Sequence, residues 1–297
     1  MSQVMIFWDP QGLTVDSLGN KEYLRATDGD TPYVSVSVRM LSIDAPETHY
    51  PGNAKPANSD LNLAQLGQWI YEGRAPVDDG LAAYLHPRLI HGKAGTLQGE
   101  QGARATDVFK QLLDKRLTKP NGGRRSLFIR TSGTQFDSYG RVLAYIAPSF
   151  NSKERAQLSP WEQATFNLLM VRSGWAAPFV IYPSIPKYPD LLMFHQAAKE
   201  AYLTGRGIWE ETLMLAGYEF RMAVKLFKIT EKLLQGESLS QGERMRYVTR
   251  YCVDMTTREI YFPDQYYRVA PYNRLFIWPD DVKQAVGDLN LSPPSTE

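Results

Sequence analysis

Hydrophobic and polar positions alternate from Val34 to Leu41. Val34, Val36, Val38 and Met40 fall on one side, and Ser35, Ser37 and Arg39 on the other. A period of two is the pattern of a strand with one buried face. Lys21 to Ala26 predicts the preceding strand, with Asp28-Gly29-Asp30 as the turn. Ser126 to Thr131 and Arg141 to Ala147 predict two more, and Gln135 to Gly140 supplies the turn residues between them. Helical patterning covers three stretches. One runs from Gly102 to Arg116. A second starts at Ser159-Pro160-Trp161-Glu162, which offers a serine N-cap, an early proline and a capping-box glutamate, and ends at Gly174. The third runs from Pro189 to Thr204.

Two stretches depart from this pattern. His49 to Gln98 is rich in Pro, Gly, Asn and Ala, with one short helical pattern from Leu63 to Tyr71. It reads as a long insertion, because bare loops of that length are uncommon. Beyond residue 214, a helical run from Tyr218 to Gln235 leads into strand-like runs at Arg246 to Asp254, Glu259 to Phe262 and Leu275 to Trp278. The expected organisation is one part over residues 1–214, interrupted at about 49–98, and a small separate α+β extension over 215–297. The tail after Leu291 is Ser/Pro-rich and is expected to be mobile.

Composition narrows the chemistry. The single cysteine, Cys252, excludes a disulfide framework and a cysteine-rich zinc site. No apolar run is long enough to span a bilayer, so no membrane partner is expected. The N-terminus lacks the basic and apolar regions of a secretory signal, which points to the cytoplasm, although a processed secreted chain would look the same. The net charge of +1 neither requires nor excludes a nucleic-acid partner, since such binding needs only a local basic site.

The candidate chemistry centres on Arg39-Met-Leu-Ser-Ile-Asp44-Ala-Pro-Glu47. Asp30 and Asp44 follow or end adjacent predicted strands. Two carboxylates with a backbone carbonyl and water make a hard oxygen site suited to Ca²⁺ or Mg²⁺ rather than Zn²⁺. Pro46 stiffens the turn to Glu47, a carboxylate placed to orient or deprotonate a water. Arg39 and Arg141 offer two guanidiniums for a phosphate and its transition-state charge. Each element has a plainer alternative: Asp-Gly-Asp is a common turn, Asp-Ala-Pro-Glu a capped turn, and a strand arginine usually makes a surface ion pair. Their order and spacing together favour phosphodiester hydrolysis.

Four runs resemble the staphylococcal nuclease family: Ala26 to Thr31, Val38 to Thr48, Asp137 to Ile146 and Asn167 to Gly174. Ala198-Lys-Glu-Ala with Gly207-Ile-Trp209 is similar to the family's closing helix. The likeness covers roughly residues 20 to 210 apart from the insertion. It implies an α+β fold built on a five-stranded OB-type barrel with three packed helices. It also implies a monomeric, calcium-dependent endonuclease of DNA and RNA with little sequence preference, leaving 3′-phosphate ends. By position, Asp30, Asp44 and the Ala45 carbonyl resemble the calcium ligands, ahead of magnesium. Asp28 resembles an acid beside them, Glu47 the water-directing acid, Arg39 and Arg141 the phosphate pair, and Tyr139 a substrate-side tyrosine. Ser138 departs from a lysine of the family type member. Val180 stands where a substrate-contacting tyrosine is expected, with Tyr182 nearby. The alternative is a catalytically silent OB-fold module that binds nucleic acid or protein.

Outside these runs, His86 and His91 lack helical ligand spacing, and His195 sits in a helical pattern beside apolar residues. The extension interleaves arginines with tyrosines, which would suit either a stacked single strand or a thin core covered by tyrosines.

Overall fold

In this computed structural model, residue 18, residues 20–49 and residues 54–292 are described. The N-terminal segment read for a leader and most of the tail after Leu291 lie outside the described residues. The chain forms two compact units, residues 1–39 with 131–144, and residues 40–130 with 145–297.

In the smaller unit, strands β1 (Tyr23–Ala26) and β2 (Pro32–Val34) form an antiparallel hairpin with Tyr23 opposite Val34 and Ala26 opposite Pro32. The Thr27 amide donates to the Thr31 carbonyl at 3.2 Å, closing the turn that holds Asp28 and Asp30. The strand expected from Val34 to Leu41 comes in two pieces, β2 and β3 (Val38–Met40). Val34 and Tyr33 remain exposed. Alternation assigns residues to a face; it does not supply the layer that covers it.

The larger unit begins with β4 (Ser42–Asp44). The insertion is helical: α1 (Asp60–Tyr71) and α2 (Asp79–Leu89) precede α3 (Ala94–Leu117). Helix α3 starts eight residues before the expected Gly102. Asp60 supplies the cap that moves its start, accepting hydrogen bonds from the Gly95 and Thr96 amides at 2.7 and 2.9 Å. Strands β5 (Leu127–Phe136) and β6 (Val142–Pro148) join β3 in a three-stranded sheet of order β3-β6-β5.

Next come α4 (Ser152–Gln157), α5 (Phe166–Arg172), β7 (Ala177–Ile181) and α6 (Tyr188–Leu203). Ser159 and Glu162 make the expected reciprocal bonds, 2.8 Å from the Ser159 amide and 3.3 Å to the Ser159 hydroxyl, yet no helix follows them directly. Thr165 starts α5 instead, its hydroxyl accepting from the Leu168 amide at 3.2 Å. A capping box closes one turn; here the chain breaks after it and caps again.

The remaining elements are α7 (Gly217–Leu234), α8 (Gln241–Arg244), β8 (Tyr251–Asp254), β9 (Ile260–Tyr261), β10 (Arg274–Ile277) and α9 (Val282–Leu289). They complete a mixed five-stranded sheet of order β4-β7-β10-β8-β9. β7 pairs antiparallel with β4, Ser42 opposite Phe179, and parallel with β10, Leu275 opposite Val180. Period-two alternation divides these strands between two cores. Phe179, Cys252 and Phe276 pack with α1, α2 and α7. Val180, Val253, Leu275 and Ile277 pack with α5, α6 and α9. The fold is α+β as expected, but no closed barrel is present among the described residues: the outer edge of β7 is taken by β10, so its sheet stays open. No helix among the described residues is long and apolar enough to cross a membrane.

Candidate active site

In the larger unit the site is built on the turn that follows β4. Asp44 ends the strand, Ala177 of β7 opposite it, and is 1% exposed. The buried Asn167 of α5 holds the approach: its amide donates to the Leu41 carbonyl at 2.9 Å, and its carbonyl accepts from the Ile146 amide at 3.0 Å. β4, with Asp44 at its end, is thus held by β7 and by Asn167.

Two helices clamp this turn. From α3, the fully buried Gln98 accepts a hydrogen bond from the Glu47 amide at 3.0 Å and donates to the Leu215 carbonyl. A Cβ at Gly102 would stand 2.9 Å from the Pro46 carbonyl oxygen. From α7, a Cβ at Gly217 would stand 2.6 Å from both the Ala45 carbonyl oxygen and Asp44 Oδ2. Glycine is what lets both helices approach so closely.

One turn beyond Gly217, Arg221 reaches the acids. Its Nη2 lies 3.1 Å from Asp44 Oδ1 and 3.0 Å from Asp44 Oδ2. Its Nη1 donates to Glu47 Oε1. Burial lowers the Arg221 pKa, but the charges and hydrogen bonds of Asp44 and Glu47 outweigh it and leave it raised. Arg250 lies near, its guanidinium 4.1 Å from the Trp278 ring centre and 5.3 Å from that of Phe179. Burial and the like charge of Arg221 pull the Arg250 pKa down to about 10.

Helix α7 is itself anchored. Glu219 accepts from the Ala216 amide at 2.9 Å and from the Tyr84 hydroxyl at 2.8 Å. Arg274 donates to Glu219 at 2.7 Å and to the Tyr218 hydroxyl at 2.6 Å. Both ions of this pair are almost wholly buried.

The smaller unit carries the other expected residues. Asp28 and Asp30 share the exposed hairpin turn, where the Thr31 hydroxyl donates to Asp30 at 3.1 Å. Hydrogen bonds from Thr31 hold the Asp28 carboxyl below its usual range. Arg39 is half-buried in β3. Arg141 is gripped by Asp137: Nε donates to Oδ2 at 2.7 Å, and Nη2 lies 2.7 Å from the same oxygen. Tyr139 is 79% exposed, its ring 5.3 Å from the Arg141 guanidinium. Tyr182, in the larger unit, is buried and donates to Asp288 at 2.5 Å. An enclosed phenol has little surface to offer a polynucleotide.

Asp44 and the Ala45 carbonyl are hard oxygens of the kind calcium takes. As arranged, they do not fit it. Arg221 Nη2 sits between the two Asp44 oxygens, where a bidentate cation would bind, and the backbone of α7 lies against Ala45. Among the described residues no three His, Cys, Asp or Glu side chains cluster as a metal site.

Gln98, Gly102, Gly217 and Arg221 were not singled out in the sequence. The available signal was a glycine at the start of each of two helical patterns, where it permits a close approach. Gly217 and Arg221 also share a face by their four-residue spacing.

A family model described as staphylococcal nuclease homologue matches residues 37–211, more than half of the chain. No curated protein matches it.

Proposed function

The chain belongs to the staphylococcal nuclease homologue family, and on that premise we propose that it hydrolyses phosphodiester bonds of DNA and/or RNA. The cut falls within strands, with little sequence preference, and leaves 3′-phosphate ends. The observation that carries this reading is that the family match spans Arg39, Asp44, Ala45, Glu47 and Arg141.

In this reading Glu47 orients a water and takes its proton as the water oxygen attacks phosphorus. The bond from phosphorus to the 5′-oxygen breaks, and that oxygen leaves as a hydroxyl by taking a proton from solvent water, while Glu47 returns its proton to solvent. Arg39 and Arg141 bind the phosphate and offset the charge gathering on its oxygens. The bonds that Arg141 donates to Asp137 preset its fork, which lessens the ordering that phosphate capture requires. Tyr139, exposed beside that arginine, flanks the bound strand. The family likeness implies a five-stranded OB-type barrel over the 1–214 part and calcium at Asp30, Asp44 and the Ala45 carbonyl, with Asp28 beside them; the open sheet and the hold of Arg221 on Asp44 do not fit these as arranged.

The same contact favours a second reading, in which the chain binds nucleic acid or protein without cutting, because Asp44 and Glu47 are both engaged by Arg221. A digestion panel decides between them. Single- and double-stranded DNA and RNA are incubated with Ca²⁺, Mg²⁺ or EGTA, and product ends are analysed. The nuclease reading expects cleavage to 3′-phosphate ends with Ca²⁺ and its loss in Glu47→Gln. Retained binding without product in every arm overturns it.

A further inference from the structure

We propose that Arg221 is the resident cation of the Asp44–Glu47 turn, so that calcium and this guanidinium exclude one another there. The idea rests on the nuclease reading of the turn and adds a control to it. Access to the catalytic acids then depends on the first two turns of α7, a helix outside the matched family region.

Four observations converge on this. One guanidinium nitrogen bridges both Asp44 oxygens, and the other donates to Glu47. A planar fork satisfies two carboxylates at once, which a surface lysine could not do as well. The helix backbone at Gly217 lies against Ala45 and Asp44, so the side chain and its helix cover the metal-type oxygens together. Lys225 follows Arg221 by one turn, and Arg250 stands against the Phe179 and Trp278 rings beside it. A divalent ion would therefore approach two carboxylates already paired with Arg221, with the Arg250 charge close by. Finally, Glu219 anchors the first turn of α7 through Arg274, Tyr84 and the Ala216 amide, so Arg221 is delivered by a fixed helix. An exposed pair on a mobile side chain would contribute little; here Asp44 is 1% exposed and its partner's side chain 31%.

The arrangement differs from a silenced site. Silencing by loss would remove the acids. Here they persist and are covered by a cation that can leave, as an internal ligand competes with an external one.

The test is Ca²⁺ binding to the full-length protein by calorimetry, with cleavage measured separately. Wild type is expected to bind Ca²⁺ weakly, and Asp44→Asn no better. Arg221→Gln should bind on the order of tenfold more tightly, since couplings of this kind span roughly 5- to 150-fold, and Arg221→Gln with Asp44→Asn should lose the gain. Circular dichroism checks folding. Should Arg221→Gln fail to fold, Arg221→Lys decides: its ammonium cannot bridge both acids, so a smaller gain is expected, and no gain overturns the proposal. It is also overturned if wild type already shows tight binding that Asp44→Asn abolishes, or if the gain survives Asp44→Asn. Tighter Ca²⁺ binding by Arg221→Gln with no cleavage of any substrate would uphold the exclusion and remove the nuclease reading instead.

Discussion

Arg274 and Glu219 form an ion pair 2.7 Å long inside the larger unit, with side chains 1% and 2% exposed. The pair is completed by the Tyr218 and Tyr84 hydroxyls, the Val269 carbonyl and the Ala216 amide. Removing one member leaves a buried charge without its partner, which costs about 3–5 kcal/mol. Arg274→Met should lower unfolding stability by that amount in a urea titration. A loss below about 1 kcal/mol would show that the network is not what fixes α7.

Gly217 offers a more local probe. An added methyl would meet the Ala45 carbonyl oxygen and Asp44 Oδ2 at 2.6 Å. Either the helix or the turn must shift, since one contact is backbone and the other is a buried carboxylate held by Arg221. Gly217→Ala is expected to cost about 1–3 kcal/mol despite alanine's better helix propensity. Thermal unfolding reads this directly, and a stabilised variant would contradict the close approach.

The sequence made the helical segments legible wherever apolar spacing ran long. The helix expected over Tyr218–Gln235 is found over Gly217–Leu234, and that over Pro189–Thr204 over Tyr188–Leu203. Local chemistry placed Asp44, Ala45 and Glu47 together at and just after the end of one strand. What it missed were partners far along the chain. Gln98 and Arg221 meet Glu47 across 51 and 174 positions, and nothing in a local pattern encodes such a meeting. The early start of α3 was lost for the same reason, because its cap, Asp60, sits on another helix. Strand pairing was the hardest to read: Leu275 and Val180 have the right apolar character, but character alone does not name the partner.

Asp137 gives a pH signature. Burial pushes its carboxyl up, but hydrogen bonds from Arg141 and the Tyr139 amide, with the arginine's charge, outweigh this and hold it below the ordinary value. A carboxyl lowered on folding contributes stability that is complete above its unfolded pKa and fades as pH falls through the folded one. The contribution is therefore present at neutral pH and lost in acid. Asp137→Asn should flatten the decline of melting temperature on the acid side of the ordinary carboxylate range. An unchanged acid limb would mean that the carboxyl is not perturbed in solution.

Cys252 is fully buried in β8, and burial pushes its thiol up to about 12. The thiolate is the reactive form, so the native protein should resist a colourimetric thiol reagent at neutral pH. One thiol should titrate after denaturation. Rapid labelling of native protein would place Cys252 at an accessible surface.

The position of β7 bears on how the protein can be divided. It is hydrogen-bonded to β4 on one side and β10 on the other, while the family match ends at residue 211. A fragment ending there would lose β10 and turn an interior strand, Ala177–Ile181, into an apolar sheet edge. Exposed edges of that kind invite pairing between molecules. Such a fragment should aggregate on size-exclusion chromatography where the whole chain does not, and a monodisperse fragment would show that the edge is protected in some other way.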